Sequence, residues 1–250
     1  ILSLPLLLEK LHKKIYKALQ YSLPEKYFKT GKHIMDSVPF FMKPFIKRKI
    51  VKSFGGRLKK IIVGASAIDA KLLESFNKFG ILVLSGYGLT ECSPLVSGNN
   101  DLFHNFESAG LPIPNVEFII DSPNEEGVGE ILVKGPNVML GYYNNEEATK
   151  DIIRVHSDGL RWVHTGNLGT VDTDGSVKIS GRIKRLIVRN GNKIFPSTIE
   201  DIIRQNKLIT GISIVSMPNA KERHVPVAYL TIESDLIGHE EELIDNIESS

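Results

Sequence analysis

Two short apolar runs, KIIVGAS at 60–66 and ILVLSGYG at 81–88, flank a stretch that opens on Asp69 and keeps helical spacing to about Lys78. No other feature restricts the fold of this chain as much. Continuous apolar runs of this length suit strands covered by helices, and two of them joined by a helix make a β-α-β unit with parallel, buried strands. Asp69 has the side chain of a helix N-cap. Ligands of such sheets bind beyond the carboxyl ends of the strands, where both GAS (64–66) and SGYGLTE (85–91) fall.

The flanking sequence sets the domain plan. Leu7, Leu11, Ile15 and Leu19 have the spacing of a helix that needs a packing partner, and because the chain opens on Ile1 in mid-pattern it reads as a piece of a longer protein. The opening ILSLPLLLEK is too short to span a bilayer and runs into charge without a small-residue cleavage site, so neither a signal peptide nor an anchor is expected. From about residue 106 the texture becomes alternating β, and Asp174-Gly175 between GTVDT and SVKIS predicts a hairpin. After Gly181 come a strand to Val188, a turn at Asn190-Gly191, a helix opening after Pro196, and strands near 212–216 and 227–232. The expected class is α/β with mixed elements: part of a β-α-β nucleotide-binding subdomain, an antiparallel β-barrel-like subdomain at about 106–180, and a small α+β C-terminal domain.

Charge and cysteine content remove several function classes. Lysine plus arginine number 31 against 29 acidic residues, and a net charge of +2 gives no reason to expect nucleic acid as the partner. The single cysteine, Cys92, excludes an intrachain disulfide framework and a multi-cysteine zinc site, so the expected compartment is the cytoplasm. Between Asp36 and Asp69 there is no acid, while residues 43–60 carry eight cations. Phe45, Ile46, Ile50 and Phe54 recur there at helical spacing. The plain reading is the basic solvated face of an amphipathic helix; the alternative is peripheral contact with an anionic membrane or an acidic carrier.

The general phosphate-loop, dinucleotide, zinc-protease and calcium-loop patterns are absent, and no G-x-S-x-G elbow surrounds Ser66 or Ser85. SGYGLTE nevertheless has the residues to hold a nucleotide. Gly86 and Gly88 allow a sharp turn and close approach of a flat ligand, Tyr87 offers a face for stacking, Thr90 a hydroxyl for a phosphate oxygen, and Glu91 hard oxygens for magnesium. Taken alone, the heptapeptide is equally well a glycine-rich turn.

Three further segments follow in order: GEILVKGPNVMLGYY (129–143), WVHTGNLGTVDTDGSVKISGR (162–182) and GRIKRLIVRNGNKIFPSTIE (181–200). With SGYGLTE ahead of them, the chain resembles the acyl-adenylate-forming superfamily, most closely the C-terminal half of acyl-CoA synthetases that activate fatty acids. The resemblance implies residues 1–182 as the C-terminal part of a large AMP-binding domain and 183–250 as an incomplete, mobile small domain. It implies that Tyr87 stacks on adenine, Thr90 contacts phosphate, Glu91 associates with magnesium, and Gly64, Ala65 and Ser66 form a small-residue loop beside adenine and the acyl carbonyl. Arg182 matches a ribose-binding arginine, Lys184 the hinge two residues later, and Gly191 a glycine beside the pantetheine channel. The implied cofactors and partners are ATP/AMP, Mg2+, CoA or an acyl carrier, and a fatty acid or other carboxylate. His156 and His164 read as surface or turn residues, Trp162 as packing, and GEILVKG with GYY as structure, not chemistry.

One departure from the pattern bears on affinity. The family has aspartate where this chain has Asn167; a carboxylate accepts from both ribose hydroxyls, while an amide offers one acceptor oxygen, an expected loss of about 1–3 kcal/mol. The family's phosphate-cradling loop lies upstream of the matching region and its late catalytic lysine downstream, so the isolated chain is expected to adenylate poorly or not at all. The alternative is a noncatalytic nucleotide- or acyl-carrier-binding remnant of the same fold.

Overall fold

The computed structural model describes residues 2–29, 31–64, 68–189, 192–204, 206, 208–219 and 223–232. They form two compact units. The first takes Ile1–Ile119, Leu132–His164 and Val171–Lys178; the second takes Ile120–Ile131, Thr165–Thr170 and Ile179–Ser250.

In the first unit β1 (Leu2–Ser3) leads into α1 (Pro5–Gln20), α2 (Ile34–Ser37) and α3 (Lys43–Ser53), then β2 (Lys60–Val63), α4 (Ala70–Lys78), β3 (Leu82–Gly88), β4 (Leu95–Gly98) and β5 (Leu111–Pro112). The strands lie in that order in one sheet. β1, β2 and β3 are parallel, with Lys60 opposite Leu82 and Val63 opposite Ser85, while β4 and β5 turn antiparallel. The β-α-β unit is therefore formed, and the Asp69 carboxylate caps α4 by accepting from the Lys71 N–H at 2.8 Å.

β2 is not buried on both faces, however, whereas in β3 both Val83 and Leu84 are. Ile61 and Val63 of β2 are buried, but Ile62 between them is 50% exposed. The reason is that α1, α3 and α4 cover one face: Leu8, Ile15, Ile46, Ile50, Leu73 and Phe76 pack in one cluster with Ile61, Val63 and Val83. In α1 the buried row is Leu8, Ile15 and Leu19, while Leu7 faces out. Every fourth residue drifts round a helix by about 40° per step, so the row 7-11-15-19 winds off a single face.

This core encloses a polar knot. His12 and His33 each place Nε2 at 2.7 Å from the Ser75 hydroxyl oxygen. His33 Nδ1 accepts the Met35 N–H at 3.1 Å, so its proton sits on Nε2 and is donated to Ser75. Burial lowers the pKa of both rings, and for His33, with the charge of Lys78 adding to it, the value falls to about 4.

The chain continues through β6 (Glu117–Asp121), β7 (Gly129–Lys134), α5 (Glu146–Ile152), β8 (Ile153–Val155), β9 (Arg161–Val171) and β10 (Val177–Arg182). The sheet order is β10-β9-β7-β6, with β8 on β9. The hairpin at Asp174-Gly175 is formed: Gly175 has φ +83°, and the Asp172 N–H donates to the Ser176 carbonyl at 2.9 Å. The β-rich section expected here is present, without a closed barrel: among the described residues the sheet is open, because β8 pairs with Arg161–Val163 of β9 and extends neither end. Trp162 packs as expected, buried, with its indole N–H on Asp158 and Lys134 over its ring. His156 and His164 are half-buried and face each other at 3.1 Å, a pair instead of two separate surface residues.

In the second unit β11 (Ile187–Arg189) pairs antiparallel with β12 (Asn192–Ile194), followed by α6 (Pro196–Ile203), β13 (Ile209–Asn219) and β14 (Arg223–Ile232). The last two run antiparallel from Ile209 opposite Ile232 to Asn219 opposite Arg223. Pro196 occupies the first helical turn, where its missing N–H and fixed φ cost nothing. Glu200 on α6 is buried; one carboxylate oxygen accepts from the Ile214 N–H at 2.7 Å and from Arg185. That carboxylate ties the 3-10 turn Ile183–Arg185 to α6 and β13. The Asn190-Gly191 turn lies outside the described residues. Among those that are described, no helix is long and apolar enough to cross a membrane.

Candidate functional site

The SGYGLTE stretch belongs to β3 as far as Gly88, then enters a 3-10 turn at Thr90–Cys92 before β4. Neither Gly86 nor Gly88 has a positive φ, so the glycines do not make the bend by conformational freedom; the left-handed residue is Ser93, at φ +58°. Their role is close approach. A Cβ on Gly88 would lie 1.9 Å from the Pro94 carbonyl oxygen, and one on Gly86 3.0 Å from that of Ser97. The same Pro94 oxygen accepts the Leu89 N–H at 2.8 Å and closes the loop.

A second segment clamps this loop from outside. Asn137 donates its amide to the carbonyls of Cys92 (3.0 Å) and Leu95 (2.8 Å), the Met139 N–H donates to the Glu91 carbonyl at 2.9 Å, and the Tyr142 hydroxyl donates to the Glu91 carboxylate at 2.6 Å. The hydrogen bond to Glu91, helped by burial and the carboxylate charge, pushes the Tyr142 pKa up to about 12. Tyr142 therefore stays a neutral donor at physiological pH. The loop is held from both sides while Thr90 is exposed and Tyr87 is half-buried. Cys92, buried beside Glu91, has its thiol pushed up to about 11 by burial first and that charge second, so it is an inert core residue.

Glu91 fits a magnesium-associated role by donor chemistry. Mg2+ takes hard oxygens and is ordinarily held by one or two carboxylates with substrate phosphates, not by a protein cage. Among the described residues no group of three or more His, Cys, Asp and Glu side chains gathers to form such a cage.

Behind the loop, Asn99 spans β3 and the 105–108 segment. Its amide donates to the Ser85 hydroxyl at 2.9 Å and the Ser108 carbonyl at 3.0 Å, and its oxygen accepts the Asn105 N–H at 2.7 Å. Gly64 follows β2, with the Gly86 carbonyl 3.9 Å from where its Cβ would be. Ala65 and Ser66 lie outside the described residues.

The remaining described candidates belong to the second unit. Asn167 is half-buried on β9, its backbone N–H on the Thr165 hydroxyl at 3.1 Å, just after Gly166 at φ +66°. The Thr165 hydroxyl donates to the Ile131 carbonyl, and Glu130 accepts the Gly166 N–H, so the kink is fixed on both flanks. Arg182 ends β10 in extended conformation and is exposed, and Lys184 is exposed in the following 3-10 turn. Gly191 lies outside the described residues.

The AMP-binding enzyme family matches residues 21–143, which contain the whole bend and the segment that clamps it. Over these residues the chain is similar to the AMP-binding enzymes. It is 41% identical over 146 residues to the long-chain-fatty-acid–CoA ligase of Salmonella typhimurium, covering 56% of this chain and 25% of that protein. It is 30% identical over 239 residues to the 2-succinylbenzoate–CoA ligase of Bacillus cereus, covering 92% and 46%. The structure of the o-succinylbenzoate CoA synthetase of Bacillus subtilis, in complex with its acyl-adenylate intermediate, matches with a TM-score of 0.62 and 27% identity over 78% of this chain and 43% of that one. The chain thus spans between a quarter and just under half of the length of these relatives. Its mixed α/β architecture is that of adenylate-forming enzymes.

Sequence reasoning missed three residues of this site. GYY reads as structure only, yet Tyr142 touches the Glu91 carboxylate; Asn137 lies within GEILVKGPNVMLGYY with no role assigned to it there, and Asn99 falls outside the motif segments. Tyr142 and Asn137 lie 51 and 45 residues from their partners, a separation at which local spacing holds no signal.

Proposed function

We propose that the protein is an AMP-forming acyl-CoA ligase that activates a fatty acid through an acyl-adenylate. The observation that carries this reading is the clamped bend, in which the consecutive residues Thr90 and Glu91 sit on a loop whose backbone is fixed by Pro94, Asn137 and Met139. A hydroxyl donor beside a hard carboxylate suits a metal-bound polyphosphate. Mg2+, when bound, would neutralise phosphate charge there. Substrate carboxylate attacks the α-phosphorus of ATP, pyrophosphate leaves in line, and the CoA thiol then displaces AMP from the acyl-adenylate. No protein nucleophile is needed, in keeping with the neutral, buried Cys92.

On this reading Tyr87 stacks on adenine between Gly86 and Gly88, the 64–66 loop borders adenine and the acyl carbonyl, and Asn167 and Arg182 serve the ribose. Residues 183–250 belong to a small mobile domain pivoting at Lys184, with Gly191 beside the CoA channel. The name of the Salmonella relative supports a fatty-acid substrate; that of the Bacillus cereus relative supports an aryl carboxylate as its competitor. ATP–pyrophosphate exchange by the complete gene product decides among them: exchange dependent on fatty acid is expected, and none with any carboxylate would overturn the enzyme reading.

Asn167 favours a second reading, a noncatalytic nucleotide- or acyl-carrier-binding protein. Asn167→Asp restores a charged acceptor and is expected to tighten AMP binding by roughly ten-fold, about 1.4 kcal/mol. Under the noncatalytic reading the same variant gains no exchange activity.

A further inference from the structure

The basic segment at 43–60 has an outer face that the ligase reading leaves unused. On α3, Ile46 and Ile50 turn into the core, while Phe45, Arg48, Lys49 and Lys52 turn outward together. Just ahead of the helix Phe40 and Phe41 are 83% and 60% exposed, and Phe45 is 75% exposed. Phe41, Phe45 and Lys49, four residues apart, line an open and almost wholly apolar groove of about 340 Å³ with Leu19, Leu23 and Met42. Aromatic rings so exposed in one place are unusual for a surface that meets only water.

The charges around the groove are of one sign. No acid occurs between Asp36 and Asp69. The acids at those ends are engaged elsewhere, Asp36 with Lys78 and Asp69 as the α4 cap, and Lys60 is paired with Asp101. Among the described residues Arg48, Lys49 and Lys52 make no ion pair, so their charge is unneutralised at the end of the helix that follows the phenylalanines. A second copy of this chain would set these cations against one another, and nucleic acid has no use for an apolar groove. A bilayer with anionic headgroups satisfies both features at once, since rings enter the headgroup–acyl boundary while cations rest at phosphate level.

We propose that this face docks on an anionic membrane surface, with Phe40, Phe41 and Phe45 inserted and Arg48, Lys49 and Lys52 on the lipid phosphates. The proposal stands apart from the ligase reading, because it uses none of the residues assigned to the nucleotide.

The test is flotation of the full chain with phosphatidylcholine vesicles that contain, or lack, phosphatidylglycerol. Binding is expected only to the anionic vesicles and is expected to weaken steeply between about 0.05 M and about 0.5 M salt, as the screening length shrinks. Replacing Arg48, Lys49 and Lys52 together by glutamine should weaken partitioning on the order of 100-fold, about five-fold for each cation. Replacing Phe40, Phe41 and Phe45 by serine should abolish the binding that survives high salt. All six side chains are exposed, and unchanged thermal melting of both variants verifies the fold. No partitioning into anionic vesicles, or partitioning that neither triple variant weakens, overturns the proposal. So does concentration-dependent self-association that the serine variant removes in the absence of vesicle binding, since the groove would then belong to a second copy.

Discussion

Gly88→Ala tests whether close approach, and not flexibility, is the reason for glycine in the bend. The added Cβ would meet the Pro94 oxygen at 1.9 Å, the Pro94 carbonyl carbon at 2.8 Å and the Leu95 Cα at 3.0 Å, all backbone atoms that no rotamer can move. Restoring ordinary contact at 3.4 Å displaces the Pro94 carbonyl by roughly 1.5 Å. The Leu89 N–H to Pro94 bond, now 2.8 Å, cannot survive such a shift. Its loss costs about 1 kcal/mol and the forced overpacking about 1–3 kcal/mol, against a gain of about 0.5 kcal/mol from a stiffer unfolded chain. A net destabilisation of about 1.5–3.5 kcal/mol is expected. The control is Gly98→Ala in the same strand pair, where a Cβ meets nothing within 4 Å and φ is not positive; it should be neutral or slightly stabilising. Denaturant midpoints at constant slope measure both variants. Equal midpoints for the two would refute the reasoning, and so would full MgATP affinity in Gly88→Ala if the bend carries Thr90 and Glu91 as proposed.

Other outcomes follow from the same contacts. Spectrophotometric titration should show one of the seven tyrosines ionising near 12; Tyr142→Phe should remove it, and Glu91→Gln should return it towards the ordinary value of 10. A histidine kept neutral by the fold lends stability that is complete above its unfolded value of 6.5 and is lost as pH falls through about 4. For His33 the loss should be about 2 kcal/mol, allowing for water around a half-buried ring, and His33→Asn, which keeps an acceptor for the Met35 N–H, should flatten that part of the acid unfolding curve. Glu200→Ala strands the Ile214 N–H and frees Arg185; a loss of about 2–3 kcal/mol is expected, visible as faster hydrogen exchange along β13 and β14.

Elements whose cause is local were legible in the sequence. The Asp69 cap, the Asp174-Gly175 hairpin and the helix opening at Pro196 each depend on residues within a turn or two of one another, and the two parallel strands on apolar runs joined by a single helix; each is found where spacing and capping chemistry put it. Errors begin where the cause is remote. SGYGLTE is legible as a loop apt for a nucleotide, but its glycines suggest backbone freedom, whereas the structure uses their missing side chains to let β4 close on β3, and gives the left-handed position to Ser93. A serine there carries a cost of about 1 kcal/mol that no composition rule foresees. It is tolerated because Leu89, Asn137 and Met139 pin the loop from either side of it. The same remoteness hid Tyr142, whose tie to Glu91 exists only once the chain has passed through β6 and β7 and returned. Periodicity reports which face of an element is apolar; it does not report what later segment will cover a polar group. A charged group in a bend is therefore best read as half of a contact, and the reach of its partner along the chain measures how much of a site must wait for the fold.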